Sequence, residues 1–188
     1  ELFPAQKYVN CIPVSKHDHV LIPAGTIHCS GRNTMVLEIS ATPYIFTFKL
    51  WDWNRLGLDG LPRPVHLKDG AANIQWDRDT QWVEENLLGQ ARTIACDAHC
   101  TTEITGLHER EFIETRRYTF SAPVSCDCQG SVQMLNLVEG CEMTLRSPRE
   151  EFEPFVVHYA ETVIIPAKVR QFIMEPSGPA IKQEVKVI

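Results

Sequence analysis

The chain has 188 residues, a formal net charge of −6 and 44% hydrophobic residues. This length suits one large domain or two small ones, and the composition supports an ordinary packed core. The acidic balance disfavours nucleic acid and anionic membranes as partners, and no apolar run is long enough to span a bilayer. Seven irregularly spaced cysteines favour reduced thiols. Because the N-terminus also lacks signal-peptide character, the sequence predicts a cytoplasmic protein.

Residues 8–57 alternate short apolar runs with turn residues. The pattern predicts strands at 20–22, 34–39 and 45–51, since these stretches are rich in β-branched and aromatic residues. The first residue is not methionine, which suggests a fragment or a processed product.

The middle of the chain changes character. Residues 57–70 carry glycines and prolines and predict an extended connection, with a short helix at 67–74. Residues 80–88 contain good helix formers, with Asp79 or Thr80 as the N-cap and Gly89 after the last turn.

Strands are expected again from residue 105 onward. Short apolar runs separated by turn residues at close intervals are typical of a sandwich or jelly roll. The predicted strands are 112–115, 132–138, 142–145, 155–159, 162–165, 172–174 and 182–188. We therefore predict a mainly β chain with residues 1–57 as the last part of one barrel, residues 58–95 as an extended and helical connector, and residues 96–188 as a complete second barrel.

One turn combines a tight bend with a histidine. Pro23, Gly25 and His28 fall on the second metal motif of the cupin barrels, Gly-x5-Pro-x-Gly-x2-His-x3-Asn. His17 stands at the position of its first glycine and Arg32 at that of its asparagine. This geometry predicts an imidazole that points into a barrel while the turn stays outside.

Four sequence elements follow one another in a specific order. They are Ile-Pro-Ala-Gly-Thr-Ile-His at 22–28, Leu-Glu-Ile at 37–39, Trp-Asp-Trp-Asn-Arg at 51–55 and Arg-Pro-Val-His at 63–66. In this order the chain resembles the class I mannose-6-phosphate isomerases of the cupin superfamily. It departs from them at Phe48 and Lys49, which replace a Tyr-Arg pair, and at Asn54, which replaces a glycine. The family's Gln-x-His and glutamate zinc ligands belong before residue 1.

The resemblance implies a zinc-dependent aldose–ketose isomerase, built from cupin jelly rolls, that interconverts mannose 6-phosphate and fructose 6-phosphate through an enediol. This chain alone is expected to be inactive, because one imidazole cannot hold catalytic Zn²⁺. The alternative is a non-catalytic cupin module for sugar binding or regulation, and a third option is a related isomerase with another sugar substrate.

The resemblance also assigns site residues. His28 is the metal ligand, Glu38 and Arg55 are catalytic, and Lys49 and Asp52 bind substrate. Each has a simpler interpretation: His28 as a core histidine, Glu38 as the partner of Lys49 in a salt bridge, and Arg55 as a loop arginine paired with Asp52 or Asp59. Trp51 and Trp53 are interpreted as core aromatics rather than as a sugar-stacking surface.

The second barrel shows traces of the same motifs. Cys126, Cys128 and Gln133 occupy the ligand positions of the first cupin motif, and Gln171 stands at the histidine position of the second. We interpret this barrel as degenerate and without metal. Residues 96–100, Cys-Asp-Ala-His-Cys, are interpreted as part of the connector.

The expected partner is a small sugar phosphate, with no nucleic acid and no membrane. A truncated jelly roll exposes strand edges and apolar faces, so self-association through residues 8–50 is also expected.

Overall fold

Two units make up the chain in the computed structural model, which describes residues 3–41, 47–106, 109 and 111–188. The first unit comprises Glu1–Gln90 with Glu109–Ile113, and the second comprises Ala91–His108 with Glu114–Ile188. Within these described ranges, no helix has the length and apolar character needed to cross a membrane.

The first unit contains the helices that the sequence predicts. They are α1 at Leu67–Asn73 and α2 at Thr80–Asn86. A 3-10 turn at Ala5–Lys7, which the sequence does not predict, precedes them. Asp79 caps α2, because its side chain accepts a hydrogen bond from the backbone N–H of Trp82 at 2.9 Å. Gly89 follows α2 with φ at +62°, a conformation that suits glycine beyond a helix end.

The strands predicted for the first unit are absent from its described residues. Val20 forms only an isolated bridge with Leu88, and residues 34–39 have no regular secondary structure. Residues 45 and 46 of the third predicted strand lie outside the described ranges. The prediction was wrong at 34–39 because a β-branched pattern favours a strand only where a neighbouring strand pairs its backbone groups.

The described residues of the second unit form ten antiparallel strands. They are β1 Arg92–Cys96, β2 Cys100–Ile104, β3 Arg116–Phe120, β4 Val124–Asp127, β5 Gln133–Glu139, β6 Glu142–Arg146, β7 Phe155–His158, β8 Thr162–Ile165, β9 Gln171–Pro176 and β10 Val185–Val187. One sheet has the order β1-β2-β3-β10-β5-β8 and the other the order β4-β9-β6-β7. This confirms the predicted mainly β chain with a jelly roll.

Pairings between strands that are distant in sequence fix the strand order within each sheet. The last strand, β10, lies between β3 and β5, with Lys186 opposite both Thr119 and Glu139. In the second sheet, β9 lies between β4 and β6 and places Met174 opposite both Val124 and Leu145.

The core of the second unit lies between the two sheets. Alternate residues of β10 and β9 point inward, so that Val185, Val187, Phe172 and Met174 are almost completely buried. They belong to one apolar cluster with Leu137 and with residues of the facing strands, namely Phe120, Met143, Leu145 and Val157. Burial of these side chains is the main favourable contribution to the fold.

The first part of the second unit corrects the sequence interpretation. Residues 97–99 form the turn of the β1–β2 hairpin, and Cys96 and Cys100 belong to its strands, so this stretch is not a connector. Asp97 Oδ1 accepts hydrogen bonds from the N–H groups of His99 at 2.7 Å and Cys100 at 2.8 Å. These two bonds hold the pKa of Asp97 below its usual range. The strand predicted at 112–115 instead begins at Arg116.

Candidate functional site

The segment from Lys49 to His66 joins two of the four ordered motifs. The backbone N–H of Lys49 donates to His66 Nδ1 at 3.1 Å, and the N–H of His66 donates to the Lys49 carbonyl at 2.7 Å. The N–H of Arg63 donates to the carbonyl of Arg55 at 3.1 Å. Residues that are eight or more positions apart in sequence are therefore held side by side.

Asp52 is the buried charge of this segment, with only 8% of its surface exposed. Lys49 Nζ lies 3.5 Å from its Oδ1, and Arg63 Nε lies 3.0 Å from its Oδ2 in an ion pair that lacks hydrogen-bond alignment. A buried carboxylate is costly unless it is paired, and here it has two cationic neighbours. Lys49 and Asp52, both predicted to bind substrate, are thus brought together, and Arg63 is added to them.

Arg55 is held through its backbone. Its N–H donates to the Asp52 carbonyl at 2.9 Å, and its own carbonyl accepts from Arg63. The side chain is exposed. Of the two partners proposed from the sequence for Arg55, Asp52 and Asp59, the Asp52 carboxylate is instead paired with Lys49 and Arg63.

The Pro-Ala-Gly turn is anchored to the stretch between α1 and α2. The Gly25 carbonyl accepts from the N–H of Gln75 at 3.0 Å, and Arg78 Nη1 donates to the Ala24 carbonyl at 3.0 Å and to Thr26 Oγ1 at 2.9 Å. Gly25 has φ at +80°, and a Cβ there would lie 2.6 Å from the Asn73 carbonyl oxygen. Only glycine fits this bend without strain.

His28 follows that turn but its ring is exposed to solvent. Its Nδ1 lies 2.9 Å from the carbonyl oxygen of Thr26, two residues earlier. The expectation of an imidazole directed into a barrel is therefore not met, because the strand that would carry it inward is not formed. The role of His28 as a metal ligand stays a prediction.

Glu38 is exposed in the unpaired segment 34–39. The salt bridge proposed between Glu38 and Lys49 is replaced by the contact of Lys49 with Asp52. The structure thus groups Lys49 and Asp52 with the backbone of Arg55, while His28 and Glu38 lie on other stretches of the same unit.

The two tryptophans beside Asp52 contact each other, with ring centroids 4.4 Å apart. Trp51 is partly buried and also meets the ring of Phe3 edge-on at 5.5 Å. Trp53 is exposed, so the interpretation of both rings as core is wrong for Trp53.

Among the described residues, no group of three or more histidine, cysteine, aspartate or glutamate side chains is placed to hold a metal ion such as zinc. A catalytic zinc site needs three protein ligands and one open position. The described residues therefore do not fit this cofactor by themselves.

The cupin motif positions of the second unit lie around β4 and β9. Gln171 Nε2 lies 3.4 Å from Asp127 Oδ2, and Gln133 Nε2 donates to the Asp127 carbonyl at 3.1 Å. Burial raises the pKa of Cys126 to about 12 and also raises that of Cys128. The raised pKa values favour the protonated form of both thiols at this site. A cavity of about 280 Å³ adjoins it, lined by Ser125, Cys126, Asp127, Pro148, Gln171 and Phe172.

Two residues of the grouped segment were missed as site residues in the sequence. Arg63 and His66 carried the resemblance, but neither was assigned a role. Their place in the fourth of the ordered motifs was the available signal. The sequence alone does not show that Arg63 contacts Asp52.

No protein-family model and no curated protein matches the chain. Among solved structures it is similar to mannose 6-phosphate isomerase from Bacillus subtilis, with a TM-score of 0.54 and 15% identity over 74% of this chain and 39% of that one. The chain therefore has a cupin fold. The aligned part of this chain covers 39% of the length of the Bacillus subtilis protein.

Two further structures show weaker likeness. A zinc-bound mannose 6-phosphate isomerase aligns at a TM-score of 0.43 and 16% identity, covering 67% of this chain and 28% of that chain. A cupin-2 domain protein from Shewanella frigidimarina aligns at 0.30 and 12% identity, covering 53% of this chain and 76% of that chain.

Proposed function

We propose that this chain is part of a class I mannose-6-phosphate isomerase, acting on mannose 6-phosphate and fructose 6-phosphate in the cytoplasm. The observation that carries the proposal is the joining of two of the ordered motifs, 51–55 and 63–66, through the ion pair of Asp52 with Arg63. The cupin fold shared with the Bacillus isomerase supports it.

The reaction moves hydrogen between two carbons of the open-chain sugar. A carboxylate, proposed as Glu38, removes the proton from C2 and returns it to C1, while the hydroxyl proton passes from O2 to O1. Arg55 stabilises the negative charge that develops on these oxygens, because its guanidinium stays protonated. Lys49 and Asp52 bind the substrate.

We propose zinc as a cofactor of the longer protein only. His28 is the ligand proposed from this chain, and the other ligands are placed outside its 188 residues. No chemical step is assigned to the metal, because the described residues do not assemble its site.

A second candidate is a non-catalytic cupin module that binds a sugar. It is favoured by the exposure of His28 and Glu38 and by Phe48, which replaces a family tyrosine. The two candidates differ in catalysis. A binding module binds the sugar phosphate but does not isomerise it, either as this chain or as part of a longer protein.

The proposal is tested in the longer protein that carries the upstream ligands. We expect Arg55→Gln to lower kcat for mannose 6-phosphate isomerisation about 100-fold, in line with the loss of one charge-stabilising donor. Arg32→Gln, which removes an exposed arginine of the same unit, should leave kcat unchanged. An unchanged rate in Arg55→Gln, or no isomerisation by the longer protein, contradicts the enzyme. The 188-residue chain alone should be inactive with added zinc.

A further inference from the structure

We propose that Lys49, Arg63 and His66 form the binding site for the phosphate group of a sugar phosphate. The identity of the sugar rests on the proposed function. The anion site rests on the arrangement of donors around Asp52, which stands without that function.

The positive charge at this site exceeds the negative charge. Lys49 and Arg63 share the single carboxylate of Asp52, and their side chains remain 39% and 40% exposed. An ammonium has three N–H donors and a guanidinium five, so pairing with one carboxylate leaves donors on both side chains for a second anion. Their charge-assisted bonds to phosphate are among the stronger hydrogen bonds in proteins.

His66 supplies a third donor of defined orientation. Because its Nδ1 accepts the N–H of Lys49, the neutral ring carries its proton on Nε2. The ring of Phe48 meets the imidazole edge-on at a centroid distance of 6.2 Å. The imidazole is therefore held from two sides, with Nε2–H as the group that can donate to a ligand.

Hydrogen bonds hold the backbone of these residues, and the ion pairs with Asp52 bring the Lys49 and Arg63 side chains together. Lys49 and His66 are joined by two hydrogen bonds, and Arg63 is bonded to Arg55, which is bonded to Asp52. Donors held in position lose less entropy on binding, which favours a small anion. The chain carries a net charge of −6, so its overall field repels an extended polyanion and leaves only a local phosphate site.

Inorganic phosphate is the probe, titrated into the full chain at constant ionic strength and followed by the amide NMR signals of residues 48–66. Chloride is the reference anion. We expect saturable shifts with phosphate, and a dissociation constant raised at least about tenfold by Arg63→Gln, since one charge-assisted bond is lost. Arg32→Gln makes the same charge change at an exposed position and should bind phosphate as the unsubstituted chain does.

A second variant tests the same site if Arg63→Gln does not fold. Lys49→Gln keeps the backbone bonds to His66 and should also weaken phosphate binding, with native amide signals elsewhere. Phosphate binding unchanged in both variants, equal weakening by Arg32→Gln, or shifts equal to those with chloride overturns the inference. Phosphate binding without isomerisation by the longer protein would retain this site and overturn only the proposed enzyme.

Discussion

At the residue scale, Gly25 shows how one backbone angle holds the turn before His28. A Cβ at this position would collide with the Asn73 carbonyl and the Gln75 side chain, and φ is +80°. We expect Gly25→Ala to lower the free energy of unfolding of the first unit by about 1 to 3 kcal/mol. All four tryptophans lie in that unit, so their fluorescence reports its unfolding.

The matched control for this substitution is Gly31→Ala. A Cβ there meets no atom within 4 Å, so its effect should stay within about 0.5 kcal/mol. Equal stability of the two variants would contradict the tight approach of Gly25 to Asn73.

Cys126 gives a chemical test of the second unit. With a pKa raised by burial to about 12, only about one thiol in ten thousand is ionised at pH 8. The exposed residues Cys11, Cys29 and Cys141 serve as internal controls. We expect iodoacetamide to alkylate these three in the native chain well before Cys126, as measured by peptide mass spectrometry. Alkylation of Cys126 at the rate of the exposed thiols would contradict its burial.

At the element scale, α2 depends on its cap. Asp79→Ala removes the acceptor for the Trp82 N–H and should destabilise the first unit by about 1 kcal/mol. Asp77→Ala, at an exposed position just before the cap, should have little effect. Urea unfolding followed by tryptophan fluorescence compares the two. A smaller loss in Asp79→Ala than in Asp77→Ala would show that the cap does not form.

The β1–β2 hairpin should respond to pH through Asp97. Its pKa is lowered in the folded state by hydrogen bonds to the His99 and Cys100 N–H groups. The contribution of the Asp97 carboxylate to the stability of the hairpin is therefore present above the ordinary carboxyl pKa near 3.8. It is lost as the pH falls through the lower pKa of Asp97 in the folded state.

We expect amide exchange at residues 92–104 to accelerate as the pH falls from about 5 to about 3, after correction for intrinsic rates. Asp97→Asn should flatten this dependence, whereas Glu153→Gln, at an exposed position, should not. The same acceleration in Asp97→Asn as in the unsubstituted chain would assign the pH dependence to other groups.

Local signals made the helices and most strands of the second unit predictable. Asp79 and Gly89 mark the two ends of α2. Strands β6 and β8 coincide with apolar runs that turn residues bound on both sides. The sequence did not predict β1, β2 or β4. Strand β1 is exposed along its whole length, so it lacks the apolar alternation that marks a half-buried strand. Residues 34–39 carry a strand pattern without a paired neighbour, and no local pattern reveals a missing partner.

The candidate site was predictable in part. The ordered motifs drew attention to Lys49, Asp52 and Arg55, and the structure groups them. The contribution of Arg63 depends on a long-range ion pair with Asp52, which a single sequence does not encode as a local signal. His28 and Glu38 were assigned orientations that only a paired barrel strand would give them.

At the scale of the whole molecule, the first unit exposes apolar side chains in succession. Met35 is 79% and Val36 is 61% exposed, and Leu37 and Ile39 are about half exposed. Contiguous exposed apolar residues in an unpaired strand-like segment favour association. We expect the chain to self-associate, with light scattering showing a mean mass that rises with concentration.

Val36→Lys should reduce this association, because a lysine in such a segment opposes edge pairing. Ile181→Lys places the same charge at an exposed apolar position of the second unit and should leave association unchanged. A mean mass that stays at the monomer value as the concentration rises would contradict association through residues 8–50. Equal effects of the two variants on the mean mass would contradict it as well.

The proposed isomerase and the proposed anion site both require that residues 49–66 bind a sugar phosphate. The most direct measurement is calorimetric titration of the chain with mannose 6-phosphate, with mannose as the reference, and with Arg63→Gln beside Arg32→Gln. We expect saturable binding of mannose 6-phosphate, no binding of mannose, and weaker binding only in Arg63→Gln. No binding of mannose 6-phosphate, or binding that Arg63→Gln leaves unchanged, would contradict the account.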